Sequence, residues 1–122
     1  MKMTDRSETK LLVDQFYQAL LNDDVSEVPL ANDVELKGSL QTEPIKGEAD
    51  VREHLEQIAP FLLGEHYSRL IIEGDSAAAL TEFVAVNGVK GKGTHYFDMK
   101  DGKIHRIESV LDTRPFLPEQ RR

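Results

Sequence analysis

Apolar positions in the first part of the chain recur at helical spacing. Leu12, Val13, Phe16, Tyr17 and Leu20 predict an amphipathic helix over about residues 6–22. Asp5 followed by Glu8 reads as a variant capping box, with Asp5 accepting from the first-turn amides, and Asp23-Asp24 ends the helix. A short helical turn precedes Pro29. Val34 and Leu36 then alternate with Glu35 and Lys37, a brief strand closed by Gly38, and residues 39–46 read as loop. After Gly47, the residues Val51, Leu55, Ile58 and Leu62 return to helical spacing, with Pro60 set to end or bend that helix.

The period changes in the second half. Residues 65–74, 76–87, 90–99 and 103–112 are rich in β-branched and aromatic side chains and alternate at many positions. Gly74-Asp75, Asn87-Gly88 and Asp101-Gly102 join them, and the last two are hairpin signals because both central residues tolerate positive φ. The pattern predicts a four-strand antiparallel meander after a helical half, an α+β domain whose sheet has one face for the helices and one for solvent or a partner.

The chain of 122 residues is expected to form one domain, since two hydrophobic cores need more residues, with 1–5 and 115–122 as flexible ends. There is no cysteine, which removes thiol catalysis and disulfides and fits a reducing, cytoplasmic setting. The 15 basic residues face 22 acidic ones, a net charge of −7 with no basic stripe, so nucleic acid and anionic membrane are poor partners. The longest apolar run, Ile58 to Leu63, is too short to span a bilayer, and the first residues lack the apolar region of a signal peptide. Gly88, Gly91 and Gly93 do not fit a GxGxxG loop, and Asp98 with Asp101-Gly102 lacks the remaining EF-hand ligands. The four histidines have no metal-ligand spacing and no serine sits in an elbow motif, so no metal and no cofactor are expected.

The stretches VDQFYQALLNDD, LANDVELKG, IKGEADVREHLEQI and THYFDMKDGKIHRIESVLD, in this order, resemble the NTF2-like superfamily, its SnoaL-like and ketosteroid-isomerase-like branch above all. The resemblance covers residues 8–114. It implies a sheet curled into a cone, helices over its concave face, a largely apolar pocket at the open end, and a homodimer through the convex face. It also implies cofactor-independent isomerases, cyclases, dehydratases or epoxide hydrolases, or simple binding proteins. The family's catalytic residues do not carry over. The isomerase tyrosine falls on Phe16, with Tyr17 one step away, the base aspartate on Gly38, and the oxyanion-donating aspartate on His95. The middle strand LTEFVAV lacks the Arg-x-Asp pair of the epoxide hydrolases, and Ser109 falls near their last-strand aspartate. Asp112 and Glu108 are weak matches to the carboxylate of the SnoaL-like cyclases.

Strand parity supplies candidates of its own. His95 shares a face with Phe97 and Met99, the more apolar set, which points it into the pocket. Glu82 shares a face with Leu80, Val84 and Val86, where a carboxylate is costly unless paired or protonated. Glu82 and His95 on adjacent strands form the expected catalytic pair, the glutamate moving a proton and the histidine donating to an oxyanion; the alternative is a glutamate on the outer face or in a structural hydrogen bond. His54 on the apolar side of the second helix, Tyr17, Phe97, and His105 and Ser109 on one face of the last strand are the expected ligand-binding residues. Asp112 has the opposite parity. Ala77, Ala79, Thr81, Phe83 and Ala85 form the alternate face, a flat surface expected to be buried between two copies. Two functional readings follow: a cofactor-independent isomerase or lyase acting on a small apolar carbonyl compound, or a non-catalytic ligand-binding or dimeric protein-interaction module.

Overall fold

The computed structural model describes residues 6–39 and 41–111. Helix α1 (Arg6–Leu21) is followed by a 3-10 turn (Val25–Glu27), strands β1 (Leu30–Gly38) and β2 (Ile45–Lys46), helix α2 (Glu48–Ile58), and a second 3-10 turn (Ala59–Phe61). Strands β3 (Leu62–Glu73), β4 (Ser76–Ala85), β5 (Lys90–Lys100) and β6 (Lys103–Leu111) complete the chain. The expected brief strand at 34–37 is longer, and Ile45-Lys46, expected as loop, pairs with Glu35 and Leu36. The capping role of Asp5, the side chain of Asp112 and the flexible ends lie outside the described residues.

The meander from β3 to β6 forms as expected, and β1 adds to its far edge parallel to β6. The result is one curved, unclosed six-stranded mixed sheet in the order β2-β1-β6-β5-β4-β3. Asp101 and Gly102 both take positive φ, the geometry of a tight two-residue hairpin. The β4–β5 connection differs: only Gly88 is left-handed, and Asn87 Oδ1 accepts from the Val89 amide across a longer loop.

Helix α1 lies over β3 and β4, and α2 over β1 and β2. The α1 stripe of Leu12, Val13, Phe16, Tyr17 and Leu20 is buried against Ala77, Ala79, Phe97, Met99, Ile104 and Ile107. Thr9 fixes the start of the helix to the β3–β4 turn by donating to the Gly74 carbonyl at 2.9 Å. Arg52 on α2 donates to the Val25 and Val28 carbonyls at 2.6 and 3.1 Å while Glu48 holds its other nitrogen, so the second helix is anchored to the first 3-10 turn.

The faces of β4 are the reverse of those expected. Ala77, Ala79, Thr81, Phe83 and Ala85 point inward, and Leu80 and Glu82 are exposed on the outer face. Small side chains stand beneath α1 because the helix and strand backbones approach closely there, and the larger aliphatics are left outside. The surface expected between two copies is therefore interior. In β6 a bulge between its pairings with Asp98 and Met99 resets the alternation, so Ile104 and Ile107 are both buried and His105 is turned out of their face.

Phe97 is 1 % exposed and its ring packs edge-on to Phe16 at 5.2 Å. Phe97→Ala is expected to cost about 3–5 kcal/mol in urea denaturation, the range for a large buried aromatic, whereas a loss under about 1 kcal/mol would mean the core does not rest on this ring.

Candidate active site

Between α1, α2 and the inner face of the sheet lies a cavity of about 440 Å³. Its wall is mostly apolar, with Phe16, Leu20, Leu36, Leu55, Phe83 and Leu111 among the lining residues. The polar side chains that reach it are Ser39, Gln41, His54, Glu65, His95 and Ser109. Two glycines shape the wall. A Cβ at Gly91 would lie 2.4 Å from Phe83 Cζ, so that ring rests on bare backbone, and one at Gly93 would lie 2.7 Å from Leu111 Cα. Gly91 and Gly93, which fit no nucleotide loop, are positions where neighbouring strands pack closely on β5.

His95 stands at the inner end of this cavity, 6 % exposed. Its Nδ1 lies 2.8 Å from the Tyr17 hydroxyl and 3.0 Å from the Thr81 hydroxyl, and those two oxygens are 2.5 Å apart. Tyr17 comes from α1, Thr81 from β4 and His95 from β5, so three elements converge on one nitrogen. Burial drives the histidine down to about 4, and it is a neutral imidazole at ordinary pH. Burial also raises Tyr17 far above its usual range, which keeps its hydroxyl protonated.

Glu65 on β3 completes the group, with Oε1 3.8 Å from His95 Nδ1. It is 6 % exposed and bonds to no described residue, and burial raises its carboxyl to about 7. His95 Nε2 also bonds to no described residue. Neither group is sealed away: among the described residues, the one buried side-chain nitrogen or oxygen without a partner is His105 Nδ1. The Glu65 carboxyl and His95 Nε2 therefore open onto the cavity that both residues line.

The structure separates the other expected residues. Glu82 pairs in register with His66 and Lys92 on the outer face and does not share a side of the sheet with His95. Tyr17 and Phe97 sit behind the cavity wall, Tyr17 bonded to His95 and Phe97 in the core. His54 lines the cavity, its Nε2 3.5 Å from Gln41 Nε2, and burial lowers its basicity. Ser109 lines it as well. His105 is directed away by the β6 bulge and lies 3.2 Å from Asp33 Oδ1, outside hydrogen-bond geometry. Among the described residues, no group of three histidine or acidic side chains could hold a metal ion.

Glu65 went unnoticed in the sequence because β3 carries a bulge between Tyr67 and Arg69. Leu70 and Ile72 pack toward the core, and counting back from them in twos places Glu65 outside. The one available signal was a glutamate in a strand too irregular for simple alternation.

No protein-family model and no curated protein matches the chain. Solved structures do. An NTF2-like protein of unknown function from Cytophaga hutchinsonii is 18% identical, with a TM-score of 0.77 over 95% of this chain and 98% of that one. A steroid delta-isomerase from Pseudomonas aeruginosa is 16% identical, with a TM-score of 0.76 over 91% of this chain and 84% of that one. An LEH-like epoxide hydrolase from M. tuberculosis is 19% identical, with a TM-score of 0.74 over 88% of this chain and 84% of that one. Identities this low establish architecture: the chain has the NTF2-like fold, as the sequence resemblance implied. No helix among the described residues is long and apolar enough to cross a membrane.

The two buried groups titrate in opposite senses. Glu65 holds its proton more tightly in the fold than at its ordinary value of 4.5, so its contribution to stability is full below about pH 4.5 and is lost as pH rises through about 7. His95 holds its proton less tightly than at its ordinary 6.5, so its contribution is full above about 6.5 and is lost as pH falls through about 4. In the native protein these slopes offset each other across the shared interval. Urea denaturation as a function of pH, referenced to wild type, should show Glu65→Gln gaining stability with rising pH and His95→Gln losing it. Parallel curves for all three would mean that neither group is perturbed.

Proposed function

We propose that the protein is a cofactor-independent proton-transfer enzyme of the isomerase or lyase type, acting on a small, largely apolar carbonyl compound. The observation that supports this reading is the Glu65 carboxyl, bonded to no described residue, raised to about 7 and open to an apolar cavity beside a neutral imidazole. A carboxylate with a proton affinity near neutrality is suited to remove a proton from carbon and return it. Thr81 donates to the Tyr17 oxygen and Tyr17 donates to His95 Nδ1, which leaves the ring proton on Nε2, directed at the cavity. That N–H binds the carbonyl oxygen and stabilises the enolate as negative charge moves onto it.

In the reaction, Glu65 takes the α-proton and the C–H electron pair moves into the enolate. In a β,γ-unsaturated ketone the double bond shifts into conjugation as that proton returns to the γ-carbon, which completes an isomerisation; expulsion of a β-substituent, which leaves with its electron pair, completes an elimination. The acid–base pair expected as Glu82 and His95 becomes Glu65 and His95. The solved structures include a steroid delta-isomerase and an LEH-like epoxide hydrolase, names that support an enzymatic use of this fold.

The test is deuterium exchange at the α-carbon of enolisable cyclic ketones in D2O, followed by proton NMR. Exchange should rise with pH through about 7, where Glu65 ionises. Glu65→Gln should lower it by about a hundredfold or more, as loss of a general base does. A Glu65→Gln variant that exchanges at the native rate removes the assignment. Ketones that bind without exchanging would favour the non-catalytic ligand-binding reading.

The homodimer belongs with this proposal, moved to the outer face of the sheet, where Ile71, Leu80, Tyr96 and Val110 are exposed. Sedimentation at micromolar protein should show a species of twice the chain mass, shifted toward the monomer in Tyr96→Glu. A monomer throughout refutes it.

A further inference from the structure

The charges around the cavity are one-sided. Among its described lining residues Glu65 is the one carboxylate, and no lysine or arginine accompanies it. The groups set against Glu65 are His95 from β5 and Tyr17 from α1, and His54 from α2 lines the same cavity. Burial holds both histidines toward the neutral form and the tyrosine hydroxyl in its protonated form. Among the described residues the Glu65 carboxylate thus has no fixed counter-ion, and its oxygens accept no hydrogen bond from them. A buried carboxylate in that condition is the most poorly satisfied group in the site.

We propose that the cavity binds small lipophilic amines as their ammonium ions, with N–H groups donating to Glu65 and the apolar body lying against Phe16, Phe61 and Phe83. Three independent features converge on this ligand class. An ammonium group supplies both the missing charge and the missing donors, and charge-assisted hydrogen bonds are the strong kind. Phe16, Phe61 and Phe83 in the lining give the apolar body of such a molecule an aromatic wall. The net charge of −7 attracts cations to the surface and repels carboxylates and phosphates from a cavity whose described lining has no lysine or arginine to pair with them. The proposal needs the Glu65 carboxyl to face the cavity and does not need it to act as a base. An amine seated there occupies the group that a carbonyl substrate requires, so it competes with turnover.

The experiment compares three molecules with one body and different head groups: 1-aminoindane, 1-indanol and indane-1-carboxylate. Their affinities are measured by calorimetry on the full chain. At about pH 8 the amine should bind about tenfold or more tightly than the alcohol, and the carboxylate should show no binding, the order set by one unpaired negative charge. At about pH 5.5, where Glu65 is protonated and the amine is still charged, the advantage over the alcohol should fall by about tenfold. Glu65→Gln should keep its affinity for 1-indanol and lose the preference for the amine. Equal binding of amine and alcohol at the higher pH overturns the proposal, as does a preference that survives in Glu65→Gln. The head-group and pH comparisons use the native protein, so a variant that fails to fold does not remove the test. Failure of ketone exchange with the amine preference intact would reject the base role alone; loss of the preference with exchange intact would reject the amine site alone.

Discussion

Helix α1 crosses the inner face of β3 and β4 so closely that β4 carries alanine or threonine at the positions beneath it. That close approach brings the Tyr17 hydroxyl into a dry interior, where it must find partners. It finds two, the Thr81 hydroxyl and His95 Nδ1, and the three side chains hold one another in place. The orientation of the imidazole, its neutrality and the direction of its second nitrogen all follow from the way this helix is seated. The site is thus a by-product of packing on one side and an opening on the other.

The two sides of that group differ in how completely their polar atoms are satisfied. Toward the helix every hydroxyl and the Nδ1 nitrogen is engaged. Toward the cavity, the Glu65 carboxyl and Nε2 of His95 have apolar walls around them and no described hydrogen-bond partner. Native interiors rarely leave such groups without partners, and those that do so beside a cavity are reserved for something that enters it. The low local dielectric that perturbs both groups also makes any interaction they form with a visitor stronger than the same interaction in water.

Much of the architecture was legible because it depends on local chemistry. The stripe from Leu12 to Leu20 marked the first helix, Pro60 stopped the second within two residues of Ile58, and Asp101-Gly102 fixed the last hairpin. The resemblance carried by the chain's segments anticipated the NTF2-like fold. Which face of each strand points inward was less legible, because that is decided by distant partners. In β4 apolar character selected Leu80, Glu82 and Val84, whereas the nearness of α1 required the smaller set. In β3 the bulge between Tyr67 and Arg69 and in β6 the one opposite Asp98 and Met99 shift the count, hiding Glu65 and misplacing His105. His95 could be placed because β5 alternates without interruption from Gly91 to Met99 on the inner side and its neighbours Phe97 and Met99 are plainly core.

The parallel pairing of β1 with β6 joins segments far apart in sequence, Leu36 opposite Ile107. Every other pairing in the sheet is made by neighbours along the chain. During synthesis the meander can assemble hairpin by hairpin, but β1 and β2 have no edge to join until the last strand has emerged. Closing so long a loop is entropically slow, and until it closes the apolar residues Leu30, Val34 and Leu36 have no sheet to cover them. The final docking of the first strand is then the step at which a nascent chain is most exposed to association with others. The rate of that step, more than the stability of the finished fold, would set how much chaperone assistance the protein needs.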